Sequence, residues 1–193
     1  MSRVRSLILA SSSVIRKTLL ENITINFDVI PAHLNERDYP PLNALKLAKA
    51  KALKISQKYP IHWIIGADQI CHLNGHVFHK PQTIENAIKT LTQLNGEAHE
   101  LITAVTLANK NEIKWHWVET IKMQMKQLST ETIKNYVATD HPLHSCGAYY
   151  YEQHGKQLFQ AVSHDSTSIQ GLPLQPLNNA LKKFKLINES LLN

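Results

Sequence analysis

The chain has 193 residues, 43% of them hydrophobic, which is enough apolar side chain to bury a real core and too much for a disordered polymer. No stretch is long and apolar enough to span a membrane. The start, MSRVRSLILASSS, carries an apolar run of only about four residues, short of a signal peptide's h-region, so the expected location is the cytoplasm. A net charge of +6, with the lysines spread rather than massed, argues against a nucleic-acid arm and for a local site that binds a phosphorylated small molecule.

Strand and helix patterns alternate along the chain. Leu7–Ala10 reads as a buried strand and Ile15–Asn22 as a short helix, followed by a second strand over Phe27–Ala32. In Leu42–Lys58, the residues Leu45, Ala48, Ala52 and Ile55 recur at helical spacing, and Tyr59-Pro60 stops the helix. Trp63–Leu73 reads as a central strand, with Asn74-Gly75 turning it into a hairpin with His76–Phe78. Thr83–Leu94 is a helix capped by Asn95-Gly96. Two long strands follow, His99–Ala108 and Ile113–Leu128, their length implying strands that are bent or shared. A helix from Ser129 or Thr130 to Thr139, strands over Ala148–Glu152 and Gln157–Val162, a helix over Leu172–Phe184 and a frayed NESLLN tail complete the chain. Strands separated by helices predict an α/β layer structure, and the adjacent long strands make its sheet mixed.

Several stretches carry chemistry. In LASSSVIRK a strand passes through hydroxyls into a helix, where free backbone N–H groups and the helix dipole favour an anion. Ser11 and Ser13 supply hydroxyls there, and Arg16 and Lys17 supply cations, although serine is also a common helix cap in any protein. In IIGADQ a buried strand ends on small residues and one carboxylate, so Asp68 is placed to serve as a general base or a magnesium ligand. Glu36 is a second candidate carboxylate, and Lys80 in HKP a candidate phosphate contact. Lys51 is one of many helical lysines. His72, His76 and His79 lack any zinc-binding context, and Cys71 and Cys146 form no CxxC pair and read as packing residues of a reduced protein.

Taken in order, these residues resemble the Maf family of nucleotide pyrophosphatases. The family's opening motif stands here as LASSSVIRKTLL, and its later glutamate falls on Glu36. Its helix motif stands as LAKAKA with Lys51, its strand end as Gly66-Ala67-Asp68, and its GKP as His79-Lys80-Pro81. Leu94, Gly96 and His99 match a further motif, and Gly171–Leu174 the GLPL near the end. Ile15, Gln69, the run His141–Gly147 and Glu152 are similar to the subgroup acting on 7-methyl-GTP rather than to members acting on dTTP and UTP. The chain departs from the family pattern at Val14, Lys17, His79, Gln153 and Thr167.

The resemblance implies a Maf/ITPase-like fold: a mixed central sheet flanked by helices, with two lobes around a cleft, in a homodimer. It also implies cleavage of the α–β phosphoanhydride of a nucleoside triphosphate. Asp68 would be the general base, with Glu36, Lys51 and Lys80 beside it. Ser11, Ser13 and Arg16 would hold the triphosphate, Gln69 would contact the substrate and Glu152 would read the base. Asp68 and Glu36 would hold Mg²⁺ or Mn²⁺. Two other readings stand beside it: the same reaction on dTTP, UTP or other modified nucleotides, and a non-catalytic nucleotide- or nucleic-acid-binding protein. Asp68 argues against the last, because a carboxylate beside phosphates repels them unless a cation intervenes.

Overall fold

The structure, a computed structural model, describes residues 7–160, 162 and 164–187. The NESLLN tail lies outside them. The chain runs β1 (Leu7–Leu9), α1 (Val14–Glu21), β2 (Phe27–Val29), α2 (Ala44–Lys58), β3 (Trp63–Leu73) and β4 (His76–Phe78). It continues through α3 (Ile84–Leu94), β5 (Ala98–Asn109), β6 (Glu112–Gln124), α4 (Thr130–Asp140), α5 (Ser166–Ile169) and α6 (Leu174–Lys183). The sheet order is β2-β1-β3-β5-β6, with β4 paired to β3. β1 is parallel to β2 and β3, whereas β3–β4, β3–β5 and β5–β6 are antiparallel. The expected mixed sheet with flanking helices is therefore the fold observed.

Strand β3 is the spine, and its two-residue period decides what each side chain meets. Trp63, Ile65 and Ala67 point into a core with Leu7, Leu9 and Leu20 and with Leu177 and Leu181 of α6. Further along the same strand, Cys71 enters a second core built from α3, α4 and the far halves of β5 and β6. The strand leaves one apolar cluster and enters the other across Asp68–Ile70, which is where polar side chains can meet a cleft.

On the opposite face of β3, glycine at position 66 lets α2 lie against the sheet. A Cβ there would sit 2.2 Å from the carbonyl oxygen of Ala48 and 2.9 Å from Cβ of Ala52. Ala48 and Ala52 are fully buried, so the LAKAKA helix owes its small residues to this contact.

The structure corrects the sequence reading in one region. Ala148–Glu152 and Gln157–Val162 are not strands: 3-10 turns cover Cys146–Ala148 and His154–Leu158, and among the described residues the one ladder contact is an isolated Met125–Phe159 bridge. Position 161 of the second expected strand lies outside the described residues. Tyr149 and Phe159 look strand-like in the sequence because both are buried, but their rings pack on each other and on His99, 4.7–5.8 Å between centroids. Tertiary packing, not a ladder, satisfies them. The four-residue helix α5 was not anticipated, and β2 and β6 are shorter than their apolar patterns implied.

Candidate active site

A cleft of about 940 Å³ opens at the β1–α1 junction and over the middle of β3. Ser11, Ser13, Arg16, Glu36, Lys51, Asp68, Gln69 and Lys80 all line it. Eight candidates scattered over 70 residues of sequence thus share one cavity. Glu152, the remaining candidate, is exposed and is not among the lining residues; its neighbour Gln153 is. Lys17 also lies away from the cleft, paired with Glu21 one helical turn on at 3.7 Å.

At the centre, Lys51 bridges two carboxylates. Its Nζ donates to Oδ1 of Asp68 at 2.7 Å and to Oε1 of Glu36 at 2.8 Å. Alternation along β3 turns Asp68 toward α2, and the close contact at Gly66 brings α2 near enough for Lys51 to reach it. Opposite Asp68 in the β3–β5 register stands Ala104, whose small side chain, with Ala44 and Ala48, leaves room for the lysine stem.

Burial dominates at Asp68, which is 5% exposed, and pushes its carboxyl above the ordinary aspartate value of 3.8; the charges of Lys51 and Arg16 and the bond from Lys51 only partly offset it. At Glu36 partial burial also pushes upward, but the bond and charge of Lys51, with the charges of Lys80 and Arg16, outweigh it and hold the carboxyl below its usual range. Two adjacent carboxylates are thereby driven in opposite directions. That separation suits Asp68 to accept a proton and Glu36 to stay ionised.

Arg16 is held, not free. Its Nε donates to the Gly171 carbonyl at 2.9 Å and its Nη1 to the Ala67 carbonyl at 3.1 Å. The guanidinium is fixed against the middle of β3, beside Asp68; the strand end expected at Asp68 is not there, because the ladder with β5 carries β3 on to Leu73. The serines perform local work first: Ser13 caps α1 by accepting from the Arg16 N–H at 3.3 Å, and Ser11 Oγ accepts from the Ser13 N–H at 3.2 Å. A hydroxyl that accepts still has its own proton to donate, so both can face an anion.

Gln69 points to the other face of β3. Its amide nitrogen donates to Thr103 Oγ1 at 2.8 Å and to the carbonyls of Ser168 and Ile169 at 3.1 and 2.9 Å. Thr103 is its cross-strand partner in the register, and its hydroxyl donates to the Ser168 carbonyl too. With its nitrogen committed to Thr103 and α5, Gln69 has its carbonyl oxygen left, which accepts from the Cys146 thiol at 3.7 Å. Sequence reasoning missed Thr103 and Ser168, whose role exists only through this long-range contact.

The remaining walls are loops. Tyr39, Pro40 and Pro41 form one rim, signalled in the sequence only by the adjacent prolines; His144, Cys146 and Tyr150 lie on another. Cys146 is therefore a cleft residue as well as a packing one, while Cys71 is buried in the core as expected. Burial, aided by the Asp68 charge, raises the Cys146 thiol to about 11. Lys80 and His79 are held near the Cys146 loop, since the Gln82 N–H donates to the Leu143 carbonyl at 3.1 Å.

A fixed guanidinium, two further lysines, helix-start hydroxyls and a raised carboxyl in one cleft define a site for chemistry on phosphate groups. The family model described as Maf-like protein matches residues 6–184, and the chain belongs to the Maf family. A Legionella pneumophila (strain Lens) protein named nucleoside triphosphate pyrophosphatase is 39% identical over 191 residues, covering 95% of this chain and 96% of that protein. A Brucella abortus biovar 1 (strain 9-941) protein named 7-methyl-GTP pyrophosphatase is 37% identical, covering 94% and 98%. Among solved structures, the Staphylococcus aureus Ham1 protein matches with a TM-score of 0.49 and 15% identity, covering 93% of this chain and 99% of that one.

Proposed function

We propose that the protein is a nucleoside triphosphate pyrophosphatase that hydrolyses the α–β phosphoanhydride, with 7-methyl-GTP as the favoured substrate. The observation that carries the reaction is Lys51 bridging Asp68 and Glu36 beside a tethered Arg16. Asp68 takes a proton from the attacking water, which its raised pKa favours. Arg16, Lys80 and the hydroxyls of Ser11 and Ser13 bind the phosphate oxygens and neutralise charge that builds on them. Cleavage gives a nucleoside monophosphate and pyrophosphate. Membership of the Maf family and the names of the relatives support the reaction class.

The choice of base rests on narrower support. Ile15, Gln69 and Glu152 match the 7-methyl-GTP subgroup, and three of the relatives similar to this chain carry that name. The same reaction on UTP or dTTP is the alternative.

The donor set fits a hard divalent cation such as Mg²⁺ or Mn²⁺. Lys51 takes one oxygen from each carboxylate, leaving Asp68 Oδ2 and Glu36 Oε2 for an ion. Among the described residues no cluster of three His, Cys, Asp or Glu could hold a metal by itself, so phosphate oxygens would complete the ligand set. When bound, the ion supplies charge neutralisation on the phosphates. We extend the proposal to a homodimer in the cytoplasm. Light scattering tests the first point, with a mass near twice the 21.9 kDa of one chain expected.

The decisive experiment measures pyrophosphate release from 7-methyl-GTP, GTP, UTP, dTTP and CTP with Mg²⁺ or Mn²⁺, for the wild type and Asp68→Asn. Rapid release from 7-methyl-GTP that Asp68→Asn abolishes is the expected result. Preference for UTP or dTTP refutes the choice of base alone. No release from any nucleotide refutes the reaction.

A further inference from the structure

The loop after α4 contributes Tyr150 and Gln153 to the cleft wall, and it is pinned from behind. Asp140, on the last turn of α4, has a side chain only 1% exposed. Its Oδ2 accepts from the His154 backbone N–H at 3.1 Å, and its Oδ1 lies 2.6 Å from His154 Nδ1. One turn earlier, the Tyr136 hydroxyl accepts from the Tyr150 N–H at 2.9 Å. The loop is thus gripped at Tyr150 and at His154, on both sides of Gln153.

The loop also folds tightly on itself. The Tyr150 carbonyl accepts from the N–H groups of Gln153 and Gly155, at 3.2 and 3.0 Å. A Cβ at position 155 would sit 2.4 Å from that carbonyl oxygen and 3.2 Å from the Tyr136 hydroxyl, so only glycine permits the grip. A carboxylate this buried is costly unless hydrogen-bonded, and here it bonds His154 of the loop and Tyr136, whose hydroxyl itself holds the loop. None of these bonds touches Asp68, Lys51 or Arg16.

We infer that Asp140 is a positioning residue for substrate choice: through His154, and together with Tyr136, it sets the loop that presents Tyr150 and Gln153 to the nucleoside. The inference rests on the nucleotide reading proposed above. It also moves base selection from Glu152, which does not line the cleft, to its neighbour Gln153, which does. The amide of Gln153 can donate to and accept from a base edge, and the ring of Tyr150 can stack on one.

The test compares kcat/KM for 7-methyl-GTP, GTP and UTP in the wild type, Gln153→Ala, Asp140→Ala and the double variant. Gln153→Ala and Asp140→Ala are each expected to change the discrimination ratios on the order of tenfold, and Asp140→Ala to keep nearly all of kcat on the better substrate. The double variant should match a single one, because both act through one loop. Should Asp140→Ala fail to fold, His154→Ala removes the more exposed partner and should move the ratios the same way. Unchanged ratios in Asp140→Ala or His154→Ala overturn the inference, as does an equal loss of kcat on every nucleotide. Equilibrium dialysis of 7-methyl-GMP, GMP and UMP on the same proteins separates the two readings. If the wild type hydrolyses nothing, the proposed reaction falls. The dialysis series then decides: altered binding ranks in Asp140→Ala uphold the inference, and unaltered ranks or no binding overturn it.

Discussion

Lys51→Met keeps the length of the side chain and removes one charge from between two carboxylates. At an effective dielectric of about 20, opposite unit charges 2.7 Å apart attract by about 6 kcal/mol before the ammonium's own desolvation is counted. Most of this is not recovered as stability, because Asp68 can escape by taking up a proton. The net consequence is a further rise in its pKa, about 1–3 pH units for the loss of an adjacent cation. Glu36 adds little, since half of its side chain is exposed and water screens it.

The sign follows. Asp68 in the folded wild type already titrates above its unfolded value of 3.8, and in Lys51→Met it titrates higher still. The variant is therefore least stable relative to wild type above that raised pKa, by about 1.4–4 kcal/mol. The gap closes as pH falls through it, because a protonated Asp68 needs no partner. Chemical denaturation at pH 8 and pH 4 measures the gap, and pyrophosphate release across pH 4–9 measures the activity. The acid limb of kcat/KM should move up by about 1–3 pH units. An unmoved acid limb, or a stability gap that persists unchanged at pH 4, would show that the Lys51–Asp68 pair does not set the state of Asp68.

Three further outcomes are expected. Arg16→Lys cannot keep bonds to both the Gly171 and Ala67 carbonyls, so kcat/KM should fall about a hundredfold with the stability nearly kept; steady-state kinetics that match wild type would remove Arg16 from the phosphate site. Gly66→Ala forces α2 off the sheet and should cost about 1–3 kcal/mol in denaturant unfolding, with lost activity because Lys51 moves with the helix. Chelation should stop turnover and added Mg²⁺ restore it, and Glu36→Gln should raise the Mg²⁺ concentration for half-maximal rate severalfold; a rate insensitive to chelator would dismiss the metal.

Much of the site was legible in the sequence, because its parts sit on local signals. A strand running into serines marks a helix start that can receive an anion, and the small residues of GAD mark a carboxylate on a buried strand, although Asp68 sits in the middle of β3 and not at the expected end. Helical spacing in Leu42–Lys58 also identified α2, and the apolar run before Asn74-Gly75 identified β3. Local patterning failed between Tyr149 and Phe159, where burial of aromatic rings around His99 imitates strand alternation.

Three decisions belonged to the tertiary structure alone. Only the family motif singles out Lys51 among the lysines of its helix; what it touches was decided by the missing side chain at Gly66, which brings it against Asp68, 17 positions away. Nothing shows that Arg16 is tethered until Gly171 arrives from the far end of the chain. Nothing in YYYEQHG says which residue faces the cleft until Asp140 and Tyr136 fix the loop. Sequence periodicity settles which way a side chain points within its own element. Which groups meet across elements depends on packing distances that no local pattern encodes.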